Sequence, residues 1–214
     1  MIYLYAIADG RPPAFSSAGI AGARVESTEA AGLCAVWSSH ADEADLAATP
    51  SALWAHEAVA DELLQSAAVL PLRFGTTLSD EHAIRELLER DEQRFRKLLD
   101  RVRGHVELAV RVAVPETVPE RPADGAAYVN ARVASRQARE AAARVVLAPL
   151  EAVASASAQR HDDAPVIRAS YLVRPSEVEH FTSTVRRLQD AHPQLTLSCT
   201  GPWAPYSFVT EERA

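Results

Sequence analysis

The residue types that could act as bases, nucleophiles or metal ligands are dispersed along the chain. Seven histidines stand at 40, 56, 82, 105, 161, 180 and 192, and no two have the three- or four-residue spacing that sets two metal ligands on one helical face. They read as surface histidines. His161, Asp162 and Asp163 adjoin one another, but in a predicted loop with no further ligand nearby, which reads as solvated surface. His56 and Glu57 are neighbours on a predicted helix, where adjacent side chains diverge by about 100° and do not face each other. Cys34 and Cys199 belong to no Cys-x-x-Cys pair or zinc-spaced cluster and read as small buried apolar residues. There is no glycine-rich dinucleotide or phosphate loop, no HExxH, no GxSxG and no EF-hand pattern. These residues imply no catalytic group, no metal and no cofactor.

Arg73 stands apart. It lies in VLPLRFGTT, where Leu70, Leu72 and Phe74 alternate with Pro71, Arg73 and Gly75 as in a strand. An arginine amid that much apolar surface calls for a carboxylate or carbonyl partner. Structural pairing is the first reading of Arg73 and an anion anchor the second. Pro71 cannot donate to a ladder, so this strand belongs at a sheet edge.

The elements that must position these residues follow from periodicity. Residues 2–8 are apolar or aromatic throughout, as suits a strand covered on both faces. Strands near 23–27 and 33–37, with Ala30, Ala31 and Gly32 near the turn, form a hairpin. Thr49 and Pro50 start a helix running to about Ala67, with Leu53, Ala60, Leu63, Leu64 and Ala67 as its apolar face. A single amphipathic helix is predicted over 80–103, capped by Ser79, with Asp91 the one break in its stripe and Gly104 at its end. Residues 105–114 alternate as a strand with one buried face. A proline-rich link then leads to an alanine-rich helical stretch over 125–160, split or kinked at Pro149. The last third reads as strand, helix and strand, the helix opening with Pro175 and a capping box at Ser176 and Glu179.

This order predicts an α+β fold of two domains, residues 1–68 and 69–214. The second has the βαββαβ order of a ferredoxin-like sandwich, interrupted by a helical insertion at 125–160. Composition agrees with a folded protein: 48% apolar and 24% charged residues, unlike a disordered chain. The 22 basic and 29 acidic residues give a net charge of −7, and arginines sit a helical turn from carboxylates, as in Arg85/Glu89 and Glu92/Arg96. That disfavours a nucleic-acid partner, which needs a segregated basic face. No apolar run approaches the ~18 residues of a membrane span and the amino terminus lacks a signal-peptide pattern, so the expectation is a soluble cytoplasmic protein.

The chain closes on GPWAPYSFV, residues 201–209. Its prolines stiffen the segment before it docks, and Trp203, Tyr206 and Phe208 can each bury ~150–250 Å². An ordered closing strap is expected here rather than a frayed tail.

Three stretches together, MIYLYAI at the start, VLPLRFGT with the following helix and GHVELAVRV in the middle, and YLV with TGPWAPYSFV at the end, resemble the gas vesicle protein L/F family. The departure is Ala204, where the family commonly has a proline. The resemblance implies a non-enzymatic accessory or minor structural protein of gas vesicles that engages the very hydrophobic major shell protein, with other vesicle proteins as further partners, located at the gas vesicle within the cytoplasm. It also implies a two-domain α+β architecture with one ferredoxin-like domain. Arg73, Phe74, Trp203, Pro205, Tyr206 and Phe208 are the candidate partner-binding residues. The alternative is a small-molecule-binding protein or enzyme on a ferredoxin-like scaffold with Arg73 as anion anchor.

Overall fold

The computed structural model describes residues 1–12, 14–115, 125–160 and 166–209. The expected His161-Asp162-Asp163 cluster lies outside them. Helices and two sheets make up the chain, which divides into two compact units, Met1–His105 with Trp203–Ala214, and Val106–Pro202.

The first unit is organised around β1 (Ile2–Asp9), buried from Ile2 through Ala8. It pairs antiparallel with β3 (Leu33–Ser39) on one side and with the short β4 (Val69–Pro71) and β5 (Thr77–Leu78) on the other. A strand bonded on both sides and covered on both faces must be apolar at every position, which explains the unbroken IYLYAIA. β2 (Val25–Ala30) pairs with β3 at the sheet's outer end, giving the order β2-β3-β1-β4. The β2–β3 turn holds Ala31 at φ 51° and Gly32 at φ 69°, the two positive values of the mirror-image turn whose twist matches the strands.

Three α-helices complete this unit among the described residues: α1 (Pro50–Leu64), α2 (Glu81–Arg90) and α3 (Glu92–Val102). Thr49 caps α1 by accepting from the Ala52 N–H at 3.2 Å. The helix predicted as continuous over 80–103 is interrupted at Asp91, which leaves helical geometry at φ −105°, ψ 16°. The break falls where the apolar stripe does. Asp80, not Ser79, is the cap of α2, its Oδ1 accepting from the Ala83 N–H at 2.9 Å. Glu92–Arg96 pair at 2.8 Å as expected, whereas Arg85 turns back to Glu81 at 2.6 Å rather than forward to Glu89.

The second unit contains β6 (Val106–Ala113), α4 (Gly125–Glu151), β7 (Ala156–Arg160), β8 (Val166–Val173), α5 (Val178–Ala191) and most of β9 (Thr196–Trp203). The sheet order is β7-β8-β6-β9, with β6–β8 and β7–β8 antiparallel. Leu108, Val110 and Val112 of β6 meet Val146, Leu147 and Leu150 of α4 and Phe181 of α5 in one core. Pro149 lies within the last turn of α4, which ends two residues later at Glu151; its missing N–H withholds the bond that the Val145 carbonyl would otherwise accept. A 3-10 turn at Pro175–Glu177 precedes α5, and no side chain caps that helix, so the Ser176/Glu179 box does not form.

The expected division at 68/69 and the expected sheet differ from the observed ones. β4 hydrogen-bonds to β1 and not to β6, so residues 69–105 belong with the first unit. The βαββαβ order begins instead at β6. In that order α4 is the first helix, and the stretch predicted as a helical insertion ends in a strand, β7, that pairs with β8.

Candidate functional site

α1 carries a histidine in the core of the first unit. Its buried positions are Ala52, His56, Val59, Ala60 and Leu63, an i, i+4, i+7, i+8, i+11 row on one face. Leu53, expected on that face, is 44% exposed, and Trp54 beside it is 68% exposed. The helix is therefore rotated from its expected orientation, and a histidine occupies the core.

His56 is held there by hydrogen bonds at both ring nitrogens. Nε2 lies 3.0 Å from the Leu72 carbonyl oxygen and Nδ1 lies 2.8 Å from the Tyr3 hydroxyl. A carbonyl only accepts, so Nε2 carries the proton and Nδ1 accepts from Tyr3. The Tyr3 oxygen in turn accepts from the Gly75 N–H at 3.3 Å. Burial pushes the His56 pKa down, with the Leu72 bond opposing the shift, and burial pushes the Tyr3 pKa well above its ordinary value. The ring is thus neutral and its lone pair is engaged, so this histidine is not placed as a free general base.

Aromatic rings enclose it. The centroids of Tyr3 and Tyr5 lie 5.7 Å from that of His56, Phe74 at 5.8 Å and Tyr206 at 6.1 Å. Beside this cluster Tyr5 accepts from the Ile20 N–H at 2.9 Å and contacts Ser38 Oγ at 2.7 Å, which reaches His40 Nε2 at 2.7 Å. Gly19 packs so closely on the Tyr5 hydroxyl that a Cβ there would collide with it.

The three sequence stretches that carried the family resemblance meet at His56. Tyr3 and Tyr5 come from the first, Leu72, Phe74 and Gly75 from the second, and Tyr206 from the last. The predicted VLPLRFG strand ends at Pro71, and Leu72–Gly75 form a turn whose backbone serves the hub. Arg73 is exposed on that turn, not embedded in apolar surface; its carbonyl accepts from the Thr76 N–H and hydroxyl at 3.1 and 2.6 Å. An alternating pattern read as a strand misplaced it.

In the closing segment Ala204 and Phe208 are fully buried, Pro205 is buried, and Trp203 and Tyr206 are half-buried. The Arg101 guanidinium lies 5.6 Å from the Phe208 ring centroid. The Tyr206 hydroxyl is buried without a well-formed hydrogen bond. Burial first, and then the nearby Glu57 carboxylate, push its pKa far upward. The structure therefore brings Phe74 and Tyr206 together around His56 and leaves Arg73 outside. His56, Tyr3 and Tyr5 escaped sequence reasoning; the available signal was the spacing of His56 with Ala52, Val59, Ala60 and Leu63.

A second anchor joins α1 to the loop after β1. Glu62 accepts from the Ser16 N–H and hydroxyl at 2.7 and 2.9 Å and from the Ser17 N–H at 2.9 Å. Burial alone would raise its pKa, but the serine bonds prevail and hold it down at about 2. Among the described residues no group of three or more His, Cys, Asp or Glu is placed to hold a metal, and no helix is long and apolar enough to cross a membrane. Cys34 is buried and Cys199 half-buried, both as free thiols.

Fold and site together define an α+β protein with two sheets, whose buried polar hub locks distant parts of the chain to one another. The chain belongs to the gas vesicle synthesis protein GvpL/GvpF family, whose model matches residues 1–210. It is 30% identical to gas vesicle protein F2 of Halobacterium salinarum over 97% of this chain and 91% of that one. It is 32% identical to gas vesicle protein L of a Streptomyces strain over 72% and 67%. The crystal structure of gas vesicle protein GvpF from Microcystis aeruginosa matches with a TM-score of 0.82 over 98% of both chains, at 16% identity. The fold is shared well beyond the reach of the sequence similarity.

Proposed function

We propose that this chain is a gas vesicle accessory protein that binds the hydrophobic major shell protein and supports vesicle assembly without catalysing a reaction. The observation that carries the reading is the outward side of α1, where Trp54, about 200° around the helix from His56, is 68% exposed and Leu53, on the flank between them, is 44% exposed. An exposed tryptophan on a rigid support is a typical anchor for a protein partner. A shell subunit with an apolar gas-facing surface needs such cover before assembly.

The absence of a catalytic role is supported at the hub by the engagement of both His56 nitrogens. In this reading Pro205, Tyr206 and Phe208 hold the closing segment in place, while Arg73, Phe74 and Trp203 offer the more accessible contacts. The order β6-α4-β7-β8-α5-β9, with sheet order β7-β8-β6-β9, supports assigning Val106–Pro202 to the ferredoxin-like class.

The test is co-purification of the shell protein with the tagged chain. Failure of the intact chain to retain it overturns the proposal. Equal retention by a chain truncated before Gly201 removes the closing segment from the binding role.

A further inference from the structure

β2 is the outer strand of the first unit's sheet, paired among the described residues with β3 alone. Ala30 and Leu33 flank the two-residue turn, which makes them the bonded pair that closes the hairpin. Backbone groups alternate in direction along a strand, so those of Glu29, Ser27 and Val25 point away from β3. The outward carbonyl of Glu29 is taken by Arg85 Nη1 at 3.1 Å. Val25 and Ser27 have no backbone partner on that side among the described residues.

A cleft of about 660 Å³ runs along this same edge. One wall is residues 22–27 and the other is the loop over residues 14–18, with Arg11, Pro12, Trp37 and Glu81 also lining it; the Glu81 carboxylate is already paired with Arg85 at 2.6 Å. That loop is fixed at Ser16 and Ser17 by Glu62, so the walls are held apart. Two arginines stand at the cleft. Arg11 and Arg24 reach Glu29 and Glu26 only at 3.7 and 3.9 Å, and their side chains are 76% and 88% exposed. They are loosely held and accessible to another carboxylate.

We propose that the β2 edge binds an extended, carboxylate-bearing segment of another polypeptide by strand addition, its backbone pairing with Val25 and Ser27 and its acidic side chains meeting Arg11 and Arg24. Main-chain pairing supplies affinity in this mode and the flanking side chains supply selection. The volume suits a segment of a few residues. The assignment does not require that the segment come from the shell protein, so binding at β2 and shell-protein retention can fail separately.

The probe is a capped octapeptide alternating valine and threonine, with aspartates replacing the two central threonines. Titration into the full chain is expected to slow amide exchange at Val25 and Ser27. Methylating alternate peptide nitrogens deletes the ladder without altering the protein and should weaken binding about tenfold or more. Ser27→Pro should do the same, since the edge tolerates proline but loses a donor. Replacing the aspartates with lysine should weaken binding several-fold, with recovery in Arg24→Glu. The proposal is overturned by no binding up to about 1 mM peptide, by undiminished binding of the methylated peptide, or by protection elsewhere on the chain. Concentration-dependent self-association lost in Ser27→Pro would also overturn it, by assigning the edge to a second copy.

Discussion

The Tyr3 hydroxyl donates to His56 Nδ1 across 2.8 Å, joining two residues 53 positions apart in sequence. Tyr206 lies against the same imidazole, its ring centroid 6.1 Å away, with its own hydroxyl buried and lacking a well-formed bond. The two tyrosines should therefore respond unequally to loss of their hydroxyls. Tyr3→Phe strands the His56 acceptor and the Gly75 N–H and should cost about 1–3 kcal/mol in urea unfolding. Tyr206→Phe removes a hydroxyl that lacks a well-formed bond and lies near the Glu57 carboxylate, and should cost no more than about 1 kcal/mol. Equal losses at both positions would show that the Tyr206 hydroxyl is as well bonded as that of Tyr3, with the nearby Glu57 carboxylate as its partner.

The hub also sets a pH dependence. Burial lowers the His56 pKa from 6.5, and lowers that of His40 as well. Their folded pKa values lie below the unfolded value, so the unfolded chain takes up more protons as acidity rises. The stabilisation is complete above pH 6.5 and declines as pH falls through and below that value. The urea midpoint should fall between pH 7.5 and 5, and His56→Gln, though less stable at pH 7.5, should show a shallower fall. A fall no shallower than that of the unmutated chain would remove His56 from this role.

What was legible in the sequence was whatever a local period records. The alternation of Val106, Leu108, Val110 and Val112 and the cap at Thr49 each depend on neighbours within a turn or two, whereas the interruption of the 80–103 helix showed only as the Asp91 gap in its apolar stripe. His56 was not legible, because a polar side chain on an apolar row looks like surface until a tyrosine from the first strand supplies its partner. The pairing of β4 with β1 likewise joins residues more than 60 positions apart, as in Ala6 with Pro71, and a three-residue strand carries no signal of its partner. β7 was hidden for a different reason: ASAQR lacks the β-branched and aromatic residues that mark strands.

The β2–β3 turn offers a gain in stability. Ala31 holds φ 51°, a region that costs an alanine roughly 1 kcal/mol and that asparagine tolerates. Ala31→Asn, giving the Asn-Gly pair preferred in this turn, should raise stability by about 0.5–1 kcal/mol. Thermal unfolding of the variant checks it, and a lowered midpoint would place another strain on the turn.

Glu62 provides a second acid-sensitive link in a separate window. Its folded pKa of about 2 lies below the ordinary 4.5, so its contribution is present above pH 4.5 and is lost as pH falls toward 2. The group is half-buried and glutamine keeps one acceptor oxygen, so Glu62→Gln should lose about 1 kcal/mol at neutral pH. Faster amide exchange at Ser16 and Ser17 should accompany that loss and should follow acidification of the unmutated chain through the same window.

The two exposed large apolar residues of α1, Leu53 and Trp54, and the buried phenylalanine of the closing segment separate binding from folding. Phe208 is fully buried, and Phe208→Ala should cost about 3–5 kcal/mol, as for a core phenylalanine, unless the segment detaches and relieves part of the loss. Trp54→Ser and Leu53→Ser lie on the solvent face and should change stability by no more than about 0.5 kcal/mol. If α1 presents the anchor for the shell protein, these two variants lose co-purification while keeping the unfolding midpoint of the unmutated chain. Retained capture by the double variant Leu53→Ser/Trp54→Ser would move the contact off α1.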